Sequence, residues 1–561
     1  MAELHGVGAS PGVAVGPVVA ISTEEVTLED IDDPKAAIAA SSSSVASKLR
    51  ELSSKARGDG RGEAADVLQA QSYMAEDEMI VDAVQENLDG GQSLDEAFDT
   101  ASSQLEAMLA SLTDPYLAAR AADIGEVMAA IKRDMAGVAS DGTTLTEPSI
   151  LIAHELTAAE TAALDPDMVL GFATEVGGAT SHVAIIARSL SVPAVVGVKE
   201  LLEAGPSRAA LDGASGEFYA DPSDDVMNDF TARAQQHAAL STRLEAVRGS
   251  TAMFGDIKID VSANIATTDD IERAVAEQSD GVGLFRTEFL FLDTDTPPSE
   301  EEQFEAYRLA ASSWEHTVVV RTFDIGGDKP AEYLDLPPEE NPFLGQRGVR
   351  IYDQFPHLID DQLRAALRAA AHGKVAVMVP MVATLSEFRS VRDRVERIRG
   401  ELAHAGTEFG DVELGVMVEV PSIALTSYSF ADEIDFFSIG TNDLTQYTMA
   451  ADRMLSSLSD LHDPLHPAVL RLCRLVAEAG NAKGKSTSVC GLAAADPLAA
   501  VIFAHIGVTK LSVSAGSVNL IKATVGAQDV AAIGPAIDAA LQESVSAEEV
   551  RERLMPLLVQ P

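Results

Sequence analysis

A histidine that opens an apolar run directly after a glycine pair is placed to accept a phosphoryl group. His182 is such a residue: Gly177-Gly178-Ala179-Thr180-Ser181-His182 is followed by Val183-Ala184-Ile185-Ile186-Ala187-Arg188. The glycines allow a sharp turn and a close approach of backbone to ligand. An anion reaching the imidazole would meet free N–H groups and the positive end of a helix dipole. Taken alone, a histidine beside a Gly-rich turn is more often structural, so the weight falls on a second set far along the chain. Arg286 with Thr287 and Glu288, Arg321 with Asp324, then Glu419, Asn442, Asp443 and Cys490 stand at or just beyond the ends of short apolar runs, with Arg453 a little further on. Three guanidinium groups are planar clamps for phosphate and carboxylate oxygens. Glu419 and Asp443 are hard oxygen ligands suited to Mg²⁺. Cys490 is a candidate proton donor or reactive thiol, set against the plain reading of a small buried hydrophobe. The set predicts a small ligand with both a phosphate and a carboxylate.

Two kinds of scaffold must carry these groups. From residue 256 onward, strand-like runs alternate with helical stretches: Ile257–Ala263, Gly281–Phe285, Thr317–Arg321, Val375–Pro380, Leu414–Glu419, Asp435–Ile439, Ser486–Cys490 and Lys510–Ser514. Eight such repeats predict a C-terminal (β/α)₈ TIM barrel, whose C-terminal strand ends form the active mouth. The N-terminal part predicts a small α/β unit, with a strand at Val18–Ile21 and runs at Ile150–Ala153, Met168–Phe172 and Ala194–Gly197. Between its first strand and the rest, residues 34–138 carry apolar positions at three- and four-residue spacing, as in Val81, Val84, Leu88 and Leu105, Met108, Leu109, Leu112. That spacing predicts an inserted bundle of about four amphipathic helices, one starting at Asp114-Pro115.

The formal net charge is −48 over 561 residues, and only twelve of the 40 basic residues are lysine. Charge of this sign argues against nucleic-acid binding. Acid spread along the whole chain suits a halophile, where salt screens self-repulsion. No run of about 18 uncharged apolar residues occurs and the first residues lack a signal-peptide pattern, so a cytoplasmic protein with no membrane span is expected. Cys473 and Cys490 cannot make a disulfide framework.

These motifs together resemble enzyme I of the bacterial sugar phosphotransferase system, the phosphoenolpyruvate–protein phosphotransferases, over essentially the whole chain. Gly177-Gly178-Ala179-Thr180-Ser181-His182 resembles the family's phosphohistidine signature, and Asp435 to Tyr447 its metal-site signature. Gly283-Leu284-Phe285-Arg286-Thr287-Glu288 and Arg321 to Lys329 are similar to its substrate-clamp segments, and Asn341 to Arg347 to another. The resemblance implies a swivelling phosphohistidine α/β domain (1–20 and 144–223) and an inserted helical HPr-binding domain (21–143). A linker helix (224–250) and a phosphoenolpyruvate-binding, dimerising TIM barrel (251–561) follow. It implies phosphoenolpyruvate held by Arg286, Arg321, Asn442 and Arg453, with Arg347 as a further basic site residue and Mg²⁺ on Glu419 and Asp443. His182 would become the tele-phosphohistidine intermediate, Cys490 would protonate the enolate to pyruvate, and Thr161 would hydrogen-bond the active imidazole. The phosphoryl group would pass to the phosphocarrier HPr, docked near Gln71, Met74, Asp77, Glu78 and Arg120. His182 would travel between barrel and bundle on hinges near 138–150 and 215–255.

One departure stands out: Leu492 replaces the glutamate that the family carries after its cysteine and glycine. A phosphoenolpyruvate synthase or pyruvate phosphate dikinase would share the phosphohistidine unit and barrel. It would also need a large ATP-grasp domain, for which residues 34–149 leave no room and no Gly-rich nucleotide loop. A catalytically silent docking relative is the alternative from another class, with Leu492 as its support.

Overall fold

The computed structural model describes every residue except 1, 22–25, 30, 59–61, 111–120, 139–144, 166, 179–181, 191, 293, 295, 328, 330, 332, 335 and 338. The chain divides into two compact units, Met1–Ala239 and Leu240–Pro561.

The first unit is built on a mixed eight-stranded sheet of β1 (Ala2–His5), β2 (Val7–Ser10), β3 (Val13–Ile21), β4 (Ser149–Ala153), β5 (Val169–Thr174), β6 (Ala194–Val196), β7 (Arg208–Asp212) and β8 (Glu217–Ala220). Its order is β1-β8-β7-β3-β4-β5-β6-β2, with β3 to β6 parallel. The parallel centre follows from fully buried apolar runs such as Ser149-Ile150-Leu151-Ile152-Ala153, the pattern of strands covered on both faces. β3 begins at Val13, earlier than the expected Val18. β1, β2, β7 and β8 are absent from the expectation because they are four or five residues long and flanked or interrupted by glycine, and β1, β2 and β8 are also partly exposed. Gly8 in β2 is needed for a close approach: a Cβ there would lie 2.6 Å from the Gly213 carbonyl oxygen.

Between β3 and β4 the described residues hold five helices: Pro34–Gly58, Gly62–Ala75, Glu78–Asp89, Leu94–Ala110 and Ala121–Met135. Val84 and Leu105 pack inward as their spacing predicts, whereas Met108 is exposed. Leu112 and the helix start at Asp114-Pro115 lie outside the described residues. The core of this bundle runs on into the α/β part, joining Leu68, Phe98 and Met128 to Leu151 and Phe172.

In the second unit, β9 (Ala252–Phe254) pairs antiparallel with β10 (Ile257–Ile265). From β10 a closed parallel barrel runs through β11 (Val282–Arg286), β12 (Val318–Arg321), β13 (Val375–Val379), β14 (Val412–Val418), β15 (Phe436–Ile439), β16 (Ser486–Val489) and β17 (Lys510–Val513), which returns to β10. All eight lie within two residues of their predicted runs, the largest differences being the later end of β10 and the earlier start of β14. Side chains alternate: Val375, Val377 and Val379 face the helices, while Ala376 and Met378 fill the lumen with Leu284, Met417, Phe436 and Cys490. Period two on a parallel strand thus feeds both the outer core and the lumen on which the mouth rests.

At the opposite end, Lys522 is fully buried and donates to the Gln278 carbonyl (3.1 Å) and Asp280 Oδ1 (3.1 Å). Asp280 Oδ2 accepts from the Val261 N–H at 2.8 Å, tying this pair to β10. Lys522→Met is expected to cost about 3 kcal/mol in chemical denaturation, because it strands a carboxylate. Adding Asp280→Asn should recover part of that loss; a Lys522→Met protein as stable as the parent would contradict the assignment.

Candidate functional site

His182 is the first residue of the helix His182–Leu190. Gly177 before it has φ +117°, which a residue with a side chain rarely adopts. Residues 179–181, the His182 side chain and Arg120 lie outside the described residues. The helix Ala158–Ala163 packs against the His182 helix. A reciprocal cap starts it: Thr157 Oγ1 accepts from the Glu160 N–H, and the Glu160 carboxylate accepts from the Thr157 N–H. Arg133 of the bundle reaches Glu160 at 3.1 Å. Thr161, buried on this helix, donates to the Thr157 carbonyl at 2.8 Å. Its predicted bond to the imidazole involves an atom outside the described residues. On the bundle, Asp77 caps the helix Glu78–Asp89. Gln71 points inward, donating to Glu126 Oε2 at 2.9 Å, so it is a core residue rather than part of an open surface. The stretch 215–255 is mostly regular, with β8, the helix Asp224–Val247 and β9.

At the barrel mouth the predicted residues converge. Arg286, Arg321, Glu419, Asn442, Asp443, Arg453 and Cys490 line one cavity of about 340 Å³, with Glu288 and Lys329. All but Arg453, which follows the helix Thr441–Met449, come from a strand end or the residues just after it: Arg286 and Arg321 close β11 and β12, where they are direct register partners. Glu419 follows β14, and Asn442 and Asp443 lie in the first turn of the helix Thr441–Met449, where an acid complements the dipole. Cys490 follows β16 and crowns the lumen core.

The charges alternate across the mouth. Arg321 Nη2 donates to Glu288 Oε1, and its Nη1 lies 3.7 Å from Asp324 Oδ2. Lys329 Nζ stands 3.5 Å from Glu288. Arg453 Nη1 donates to Asp443 Oδ2 at 3.1 Å. Arg347 is set deeper than expected: its side chain is 1% exposed. It grips Asp324 with two bonds of 3.0 and 2.6 Å and reaches Asp443 Oδ1 at 3.5 Å. Its direct partners are therefore carboxylates.

Glu419 is buried, with Oε1 accepting from the Met381 N–H at 2.5 Å and Oε2 lacking a partner among the described residues. Burial, then the nearby Asp443 and Asp324, push its carboxyl up to about 8 against the pull of Arg347 and Arg321. An orphaned buried carboxylate oxygen beside a second carboxylate fits a divalent cation. Two carboxylates leave most of the coordination of a Mg²⁺ to water and substrate. Among the described residues no group of three or more His, Cys, Asp or Glu is arranged to hold a metal ion.

Cys490 is buried, its thiol 3.7 Å from the Ile439 carbonyl oxygen. Burial raises its pKa, partly offset by the Ser438 hydroxyl and Arg321. Asn442 Oδ1 accepts from the Leu492 N–H at 3.1 Å. Leu492 therefore contributes its backbone, while the residue is 71% exposed.

Two residues escaped the sequence reading. Met381 takes the left-handed conformation (φ +57°), unusual for a side chain of its size, and supplies the N–H to Glu419. Gln362 is fully buried. Its signal was present: a polar residue on the apolar stripe Leu358, Ile359, Leu363, Ala366 of the helix Pro356–Ala369.

Comparison with known proteins bears on the same residues. Residues 242–530 match the PEP-utilising enzyme, PEP-binding domain. Residues 145–216 match the PEP-utilising enzyme, mobile domain, and 5–120 the PEP-utilising enzyme, N-terminal. The chain is 38% identical over 532 residues to the phosphoenolpyruvate-protein phosphotransferase of Staphylococcus carnosus, covering 92% of each. The protein of that name from Priestia megaterium is 36% identical over 562 residues, 98% of each chain. The one from Bacillus subtilis is 37% identical over 534 residues, covering 92% of this chain and 93% of that one.

Proposed function

The chain belongs to the phosphoenolpyruvate-protein phosphotransferase family, and from that premise we propose that it moves the phosphoryl group of phosphoenolpyruvate to His182 and then to HPr. Pyruvate is released, and the reaction is the first step of a sugar phosphotransferase system. The observation that supports this best is the cavity lined by Arg286, Arg321, Arg453, Asn442, Glu419, Asp443 and Cys490, a donor set matched to a small ligand with a phosphate and a carboxylate. In this reading residues 1–20 and 144–223 carry the phosphohistidine and 21–143 dock HPr. Residues 224–250 link them to the barrel, 251–561, which holds the substrate and a homodimer contact. The protein works in the cytoplasm; among the described residues no helix is long and apolar enough to cross a membrane.

The chemistry is positioning and charge neutralisation. Arg286, Arg321, Arg453 and Asn442 hold the phosphate and carboxylate. Glu419 and Asp443 would hold Mg²⁺, which when bound would offset charge on the phosphoryl oxygens. Arg347, gripping Asp324 and touching Asp443, fixes those acids in place. The His182 imidazole, aided by Thr161, forms the N–P bond as the P–O bond to the enol oxygen breaks, and the electron pair leaves with the enolate. Cys490 gives its thiol proton to the methylene carbon, completing pyruvate. Its raised pKa keeps the thiol protonated at neutral pH, and the nearby Arg321 charge favours the thiolate left behind.

Pyruvate release followed with and without HPr tests the sequence of steps. About one pyruvate per chain is expected without HPr, and continuous turnover with it. Turnover indifferent to HPr would contradict the second transfer. The formal charge of −48 further predicts that melting temperature and turnover rise from dilute buffer to molar KCl. Equal values in both would remove the halophile reading.

A further inference from the structure

We propose that Gln362 is a positioning residue of this site, a buried amide that fixes the two arginine-bearing strand ends, Arg286 and Arg321, against each other. The proposal rests on the reading of these arginines as the substrate clamp. Arg286 and Arg321 are opposite one another on neighbouring strands, the last paired rung between β11 and β12. Two like charges side by side repel, and beyond this rung the backbone ladder ends. The next bonds are made by side chains. Thr287 Oγ1 donates to the Arg321 carbonyl at 2.6 Å. Gln362 Nε2 donates to that same Thr287 hydroxyl at 3.0 Å, and Gln362 Oε1 accepts from the Phe323 N–H at 2.8 Å. The loop closed by these bonds runs through Thr287, next to Arg286, and through Arg321 to Phe323.

Gln362 is tied outward as well. Its Nε2 donates to the Tyr307 hydroxyl at 2.9 Å, which donates to Gln303 Oε1 at 3.2 Å, while Gln303 Nε2 reaches the Pro298 carbonyl at 3.1 Å. Gln362, Tyr307 and Thr287 are each 0% exposed. Both amide atoms are used, so the side chain has one satisfied orientation and passes it to both strand ends. A residue that only filled space on this helix face would need no amide.

Binding of phosphoenolpyruvate with Mg²⁺ is measured by titration calorimetry in a His182→Ala background, which cannot take the phosphoryl group, alone and combined with Gln362→Met, Thr287→Val or Thr287→Ser, beside their melting curves. KM and kcat are read from pyruvate release with HPr in the same variants with His182 intact. Gln362→Met keeps volume and removes every bond. It is expected to raise Kd and KM about tenfold or more while kcat at saturating substrate stays within about threefold. Thr287→Val should do the same and Thr287→Ser should restore wild-type affinity, so the pair decides the matter if Gln362→Met does not fold. Wild-type affinity in both Gln362→Met and Thr287→Val, with only the melting temperature lowered, would overturn the proposal. A His182→Ala protein that binds no phosphoenolpyruvate would overturn the clamp reading itself, and the proposal with it.

Discussion

Arg347→Met is expected to destabilise the barrel unit by about 3–5 kcal/mol and to abolish phosphoenolpyruvate binding. Burial alone would push the Asp324 carboxyl up; Arg347 first, then Arg321, outweigh it and hold it below the usual carboxylate range. Without Arg347, a carboxylate with 0% side-chain exposure loses its two-bond partner, and Asp443 loses a neighbour at 3.5 Å. The sign with pH follows. In wild type, a depressed carboxyl contributes stability that is full above its unfolded pKa of about 3.9 and is lost as pH falls through the folded value. In the variant the carboxyl is easier to protonate, so the deficit against wild type narrows as the pH is lowered. Urea denaturation across pH checks this. The double variant Asp324→Leu/Arg347→Met should regain stability without regaining substrate. A single variant as stable as wild type would show that the pair is dispensable.

The second large effect is expected at Cys490. Cys490→Ala should leave phosphoenolpyruvate affinity within about twofold and slow pyruvate formation by about 10²- to 10⁴-fold, the range of a lost general acid. Phosphorylation of His182 should persist, with enolpyruvate released and ketonising in solution. Because burial raises the thiol pKa, the wild-type proton-transfer step should hold through neutral pH. It should fall as pH rises through that raised value, not as pH falls. Normal pyruvate formation by Cys490→Ala in stopped flow would remove the proton-donor role.

The barrel was legible because runs such as Val375 to Val379, buried on both faces, have few other stable homes in a chain that alternates them with helical stretches. β1, β2 and β8 were not, since four-residue strands at or next to a sheet edge carry no periodic signal, and β7, buried inside the sheet, is only five residues long. The convergence of Arg286, Arg321, Glu419, Asp443 and Cys490 on one cavity could be read from their places at strand ends, because barrel topology turns that position into a shared mouth. Depth could not. Arg347 sits in a loop, where a sequence suggests solvent, yet it lies against Asp324 because Gly348, at φ +55°, lets the chain pass close by. A Cβ there would be 3.1 Å from that of Met381 and 3.2 Å from Asp324 Oδ1. Gln362 and the left-handed Met381 belong to the same class: their roles come from partners 38 to 75 residues away.

The most direct test of the account is the fate of phosphorus-labelled phosphoenolpyruvate incubated with the protein and Mg²⁺. The account predicts one acid-labile phosphoryl group per chain, found on the peptide that contains His182 and absent from His182→Ala. Label that persists in His182→Ala, or that maps to another residue, would contradict it.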